Sequence, residues 1–138
     1  MNHTEQSRKL THKGAMAMLS AAVAEAETIG QPQCIVIVDA SAVVLAELRM
    51  TGSKVLSRQS ALTKAQTAAS IQGPSNAIPE GVRIGIAMAT DGRMTGLPGG
   101  LPIIVDGVCL GGIGVGSGSG DQDIAVAQAA LRAIGAEL

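Results

Sequence analysis

Residues 99–124 read GGLPIIVDGVCLGGIGVGSGSGDQDI, and this stretch decides the fold. Two apolar runs rich in β-branched residues, 101–105 and 108–115, flank Asp106-Gly107. That pair accepts the positive φ angles of a tight two-residue turn, so the segment is expected to form a β-hairpin. The glycine-rich run 116–120 then leads into a helix. Ser119 followed by Gln122 matches a capping box, and Asp121 and Asp123 suit the positive end of a helix dipole. Ile124, Ala127, Leu131 and Ile134 recur at helical spacing and give that helix its apolar stripe. A hairpin makes the sheet antiparallel, and the helix has to cover it.

Moving toward the N-terminus, the same rules supply the other elements. Residues 83–89 alternate Ile84, Ile86 and Met88 with small residues, which predicts a strand packed on one face. Asp91-Gly92 predicts a turn, and two prolines mark 73–82 as a loop. A helix is expected over 57–72, with Ala61, Leu62, Ala65, Ala68 and Ala69 inward and Gly73-Pro74 as its stop. The short β-branched run 34–38 and its return at 43–48 flank a turn at 39–42 and predict a second hairpin. Thr11 is the expected N-cap of a first helix carrying Ala15, Met16, Leu19, Ala22, Val23 and Ala26, closed by Gly30 and Pro32. Residues 1–10 are expected to be a flexible segment and 11–138 a single domain. The order of helix, two strands, helix, about three strands, helix belongs to the α+β class.

The chain of 138 residues is long enough to bury one core, and without Phe, Tyr or Trp that core is made of Ala, Val, Ile, Leu and Met. Ten basic residues against eleven acidic ones argue against a nucleic-acid partner, since phosphate tracking needs a basic surplus and base stacking needs aromatic rings. Apolar runs such as 34–38 fall far short of the ~20 residues that span a bilayer, so no membrane association is expected. The first residues lack an apolar core of a leader, and a cytoplasmic location is expected. Cys34 and Cys109 lie in apolar runs and read as reduced, buried thiols; no CxxC or histidine cluster supports a metal site. Apolar residues make up 46% of the chain and charged ones 15%, more than a small monomer easily hides, so a homo-oligomer is expected.

Arg49, Lys54, Arg58 and Lys64 form the one concentration of positive charge. They read either as a solvated basic surface or as a pocket holding a carboxylate. In the second reading, Arg49 at a strand end, Lys64 on the following helix and the small Gly99 and Gly100 converge on one edge of the sheet. Gly116 and the amides before Asp121 then approach the same ligand from the last helix. Glu47, two residues from Arg49, shares its strand face and is the candidate base. The run 116–120 is open to two readings, an anion site or a turn already satisfied by Asp121 and Asp123. His3 and His12 have no Ser, Cys or carboxylate partner in the sequence, which leaves a hydrolase triad unsupported. His12 reads as a surface histidine near a helix start, or as a metal or haem ligand. Neither a Walker lysine nor a GxGxxG helix opening is present.

Several stretches, in order, resemble the GlcG/HbpS family, which includes the C-terminal domain of PduO-type proteins. They are Leu10-Thr11, Ile35-Val36-Ile37-Val38-Asp39, Arg49-Met50 with Gly52, Lys64-Ala65 with Thr67-Ala68, Gly99-Gly100-Leu101-Pro102-Ile103, Asp106-Gly107, the glycine-rich run 111–115 and Gln122-Asp123. The resemblance covers nearly everything from Leu10 onward. It implies a profilin-like sandwich, with a five-stranded antiparallel sheet and helices on both faces, assembling into dimers or larger oligomers. It also implies haem as a ligand of some members and an association of others with small organic-acid catabolism. The ligand-binding set is then Arg49, Met50, Lys64, Gly99, Gly100, Gly116 and Asp121, with Glu47, Arg49 and Lys64 as catalytic candidates. The expected function is an oligomeric small-molecule-binding protein; the alternative is a cofactor-free catabolic enzyme using proton transfer or hydrolysis on a small carboxylated substrate. This sequence departs from the family pattern at Thr51, where an acidic residue is usual, at Ala42, where a turn glycine is common, and at Gly116-Ser117-Gly118. With no histidine after residue 12 and no aromatic ring, the residues predict weak haem binding without histidine ligation.

Overall fold

The structure is a computed structural model that describes residues 2–138. Helix α1 (His12–Ile29) is followed by strands β1 (Cys34–Asp39) and β2 (Val44–Arg49), then helix α2 (Ser57–Ile71). Two short 3-10 turns lead to α3 (Arg83–Ala89), and β3 (Gly100–Val105), β4 (Val108–Gly116) and α4 (Gly120–Ala133) complete the fold. The strands form one antiparallel sheet in the order β2-β1-β4-β3.

Strand alternation splits the interior into two layers. Ile35 and Ile37 of β1, with Ile113 and Val115 of β4, pack against Ala22 and Ala26 of α1 and Val126, Ala130 and Leu131 of α4. On the opposite face, Cys34, Val36 and Val38 pack against Ala61, Ala65 and Ala69 of α2. The α2 face is built from alanine and glycine, so that helix lies close to the sheet. Helices therefore cover both faces, as expected of this α+β chain.

The local signals formed as their chemistry requires. The Thr11 side chain accepts from Gly14 N–H at 3.1 Å, and Gly30 closes α1 in the left-handed region at φ 70°. Asp106 and Gly107 take φ values of 50° and 76° in the β3–β4 turn. Ser119 and Gln122 complete a reciprocal capping box at the start of α4. Ser119→Ala is accordingly expected to lower stability by about 1 kcal/mol in a thermal melt followed by far-UV circular dichroism. Ala42, where a turn glycine is common in the family, sits at φ 63°, the left-handed region that glycine favours.

One expectation fails. Among the described residues the sheet has four strands, not five, because residues 83–89 are helix α3. The alternation of Ile84, Ile86 and Met88 read as one buried strand face, yet no residue of α3 is buried, and Ile84 and Met88 are 79% and 75% exposed. Apolar alternation reports a strand only where one face is covered.

Candidate functional site

The residues expected to form one carboxylate pocket are divided between two places. Lys64 is buried on α2, and its Nζ donates to Val115 O at 2.8 Å and to Asp123 Oδ2 at 3.0 Å. The other Asp123 oxygen accepts from Gly118 N–H at 3.0 Å. Gly99 at φ 118° makes this ion pair possible: a Cβ there would stand 2.7 Å from Val115 O and 3.1 Å from Lys64 Nζ. Gly100 N–H donates to Ser75 Oγ at 2.9 Å. Lys64, Gly99 and Gly100 thus do gather, but inside the protein, with the lysine charge already compensated. Asp123, read from the sequence as one of two dipole partners, is the buried counter-ion.

At the adjacent sheet end, Arg49 pairs with Cys34 of β1, and Cys34 pairs with Gly116 of β4. Arg49 and Gly116 are therefore two strand spacings apart, about 10 Å. Gly116 is buried beneath the start of α2, where a Cβ would stand 3.0 Å from Ser57 O. Met50 N–H donates to Gln33 O at 3.0 Å, and the Met50 sulfur accepts from Gln33 N–H at 3.4 Å. Glu47, the candidate base, is clamped by Arg58, whose Nη2 reaches both carboxylate oxygens at 3.0 Å. Arg49 and Asp121 are exposed.

A different cluster forms at the far end of the β1–β2 hairpin. His12 is the first residue of α1, held there by the Thr11 cap. It lines a half-open groove of about 530 Å3 together with Leu10, Leu45 and Leu110, and with Arg8 and Lys9 at its rim. Asp39 shapes the floor, since its Oδ1 accepts from Ser41 N–H at 2.8 Å and Val43 N–H at 3.1 Å and so fixes the hairpin turn. Arg8 reaches Asp106 Oδ2 at 3.2 Å, which ties the segment before α1 to the β3–β4 turn. The volume lies within the usual range of small-molecule and cofactor sites, about 300–1,000 Å3. The groove offers one imidazole, an aliphatic wall, the Asp39 carboxylate and two cations, of which Arg8 is paired with Asp106 at its edge. Sequence spacing carries no signal of it, because Leu45 and Leu110 come from separate strands.

A family model described as "Haem degrading protein HbpS-like" matches residues 10–132. The chain belongs to the HbpS-like family. A Citrobacter freundii protein of 15.0 kDa, described as uncharacterized and encoded in the dhaT-dhaS intergenic region, is 31% identical over 136 residues, 95% of this chain and 96% of that one. Among solved structures, the PduOC:heme complex superposes with a TM-score of 0.87 at 27% identity, covering 94% of this chain and 98% of that one. HbpS superposes with a TM-score of 0.83 at 32% identity, covering 94% and 93%. Membership of the HbpS-like family accounts for the order of motifs from Leu10 onward. No helix among the described residues of this HbpS-like chain is long and apolar enough to cross a membrane.

Proposed function

We propose that this HbpS-like chain binds haem in the groove beside His12. The observation that carries the reading is the placing of the imidazole, the Leu10–Leu45–Leu110 wall and the Arg8 and Lys9 side chains around one half-open space. Haem is an apolar macrocycle with an iron centre and two carboxylates, and these three kinds of group match its three kinds of surface. The donor set therefore fits. His12 would hold the iron, the three leucines the ring, and Arg8 and Lys9 the carboxylates; this reverses the expectation of binding without histidine ligation, because the fold puts His12 in one lining with Leu10, Leu45 and Leu110. A bound haem supplies an iron centre for electron transfer or oxygen chemistry. Likeness to the PduOC:heme complex and the match to a family described as haem degrading support the same ligand. Haem is itself a dicarboxylate, so a carboxylated ligand and a haem ligand are here one molecule.

The groove stands apart from the Lys64–Asp123 pair, so loss of His12 should leave folding intact. In a haemin titration followed by visible absorption, His12→Ala is expected to raise the dissociation constant at least tenfold. Arg8→Ala and Lys9→Ala together are expected to weaken binding less and to make it less sensitive to salt. Equal affinity of wild type and His12→Ala would remove His12 from the site.

A further inference from the structure

We propose that the groove between α2, the β1–β2 turn and the turn after α3 binds a small aliphatic zwitterion of the amino-acid class. At about 920 Å3 it is larger than the groove beside His12, and its volume lies within the usual range of small-molecule sites. It opens on the α2 side of the sheet. Val38 packs against α2, and Val44, which pairs with Val38 across β1 and β2, lines this groove.

The turn after α3 supplies the charges. Asp91 and Gly92 take left-handed φ values of 54° and 75°. Gly92 N–H donates to Ala87 O at 2.7 Å and Arg93 N–H to Thr90 O at 3.1 Å, while the Thr90 hydroxyl donates to Ile86 O at 2.7 Å. These bonds hold the turn in shape although no residue of α3 is buried. Asp91 and Arg93 are the charged residues of the groove lining, and both are exposed. Among the described residues the ion pairs are Arg8–Asp106, Arg58–Glu47 and Lys64–Asp123, so neither Asp91 nor Arg93 has a charged partner.

Two opposite, uncompensated charges in one groove select the ligand. A simple carboxylate would gain Arg93 and be repelled by Asp91, and a simple amine would meet the reverse. A molecule with both groups satisfies both residues, its carboxylate on the guanidinium and its ammonium on the Asp91 carboxylate. Gln66 adds to the second contact: its Nε2 donates to Ala42 O at 3.2 Å, which anchors the amide and leaves Oε1 as an acceptor. The α2 residues in the lining are Gln59, Leu62, Gln66 and Ser70, none of them charged. Leu62 and Met94 are half-buried, and with the exposed Val43 they form the wall for an aliphatic chain, which covers that apolar surface when it binds.

Methyl NMR with L-leucine as the probe tests the site. In 13C-methyl-labelled protein, unlabelled L-leucine should shift the resonances of Val43, Leu62 and Met94 saturably and leave those of Leu10 and Leu110 in place. Isocaproate, which lacks the amine, and isoamylamine, which lacks the carboxylate, should each bind at least fivefold more weakly. Arg93→Gln should weaken L-leucine binding at least fivefold. Asp91→Asn should weaken L-leucine by as much, yet leave isocaproate binding as tight as before or tighter, a crossing of effects that loss of structure does not produce. Asn tolerates the left-handed backbone at that position, and far-UV circular dichroism checks the fold of both variants. His12→Ala should leave these shifts unchanged, so the two grooves stand or fall separately. No saturable shift at the solubility limit of L-leucine, equal affinity for L-leucine and isocaproate, or indifference of L-leucine binding to Asp91→Asn would overturn the proposal.

Discussion

Replacing Lys64 by alanine is expected to destabilise the protein by about 3–5 kcal/mol, read as a fall in the urea midpoint without a change in slope. The side chains of Lys64 and Asp123 are 6% and 3% exposed and meet at 3.0 Å. Each charge was taken out of water on the strength of the other. Removing the ammonium leaves the Asp123 carboxylate buried with one backbone N–H from Gly118, and Val115 O loses its donor as well. Asp123→Ala should cost a similar amount for the mirror-image reason. The double variant Lys64→Met/Asp123→Leu should recover much of the loss, because an apolar pair incurs no desolvation of charge. The Arg58–Glu47 pair is the internal control. Its side chains are 43% and 36% exposed, and Arg58→Ala should cost no more than about 1 kcal/mol. Equal effects at the two pairs would mean that Lys64 is solvated.

The second large effect is expected from a single methyl group. At Gly114 a Cβ would collide with Ala61 O and stand 2.6 Å from Ala65 N; at Gly112 it would collide with Ala65 O and stand 2.9 Å from Ala69 N. These are backbone atoms of a helix, which cannot rotate away as a side chain does. Gly114→Ala must push α2 off the sheet or deform β4, separating Ala61 and Ala65 from Cys34 and Val36. A loss of about 3 kcal/mol or more is expected. Gly85→Ala in the exposed α3 meets nothing within 4 Å and should be neutral, or stabilising by up to about 1 kcal/mol through helix propensity. Far-UV circular dichroism and methyl NMR are the readouts, since a chain without aromatic residues gives neither tryptophan fluorescence nor an aromatic near-UV signal. A Gly114→Ala protein as stable as wild type would show that α2 does not pack as closely on β4 as described.

These two sites also show what the sequence could and could not reveal. Signals carried by neighbours in the chain were legible: the Asp106-Gly107 turn, the Ser119–Gln122 box, the Thr11 and Gly30 caps. The same is true of the alanine stripe of α2, whose 3.6-residue period announces a buried face. The period of two over 83–89 predicts a half-buried strand, but no neighbouring element covers that face and the segment forms α3, none of whose residues is buried. The sequence puts Lys64 on the same helix as that stripe, but its counter-ion lies 59 residues away, at a position where a carboxylate already has a local role at a helix start. His12 lacked a partner in sequence for the same reason. Its groove is assembled from the segment before α1, the start of α1, the β1–β2 hairpin and β4, and only the sheet topology brings Leu45 of β2 and Leu110 of β4 to one lining. Pairing across the fold is a property of topology, which local spacing does not encode.

The central claim is where haem sits, and paramagnetic NMR of the ferric haem complex tests it most directly. With 13C-methyl-labelled protein, the resonances of Leu10, Leu45 and Leu110 should broaden or shift on addition of one equivalent of haemin. Those of Met50 and Leu56, near the Arg49 end of the sheet, should remain sharp, and the effect on the three leucines should be lost in His12→Ala. Broadening centred on Met50 and Leu56, with the three groove leucines unchanged, would contradict the account and return the site to the Arg49 end of the sheet.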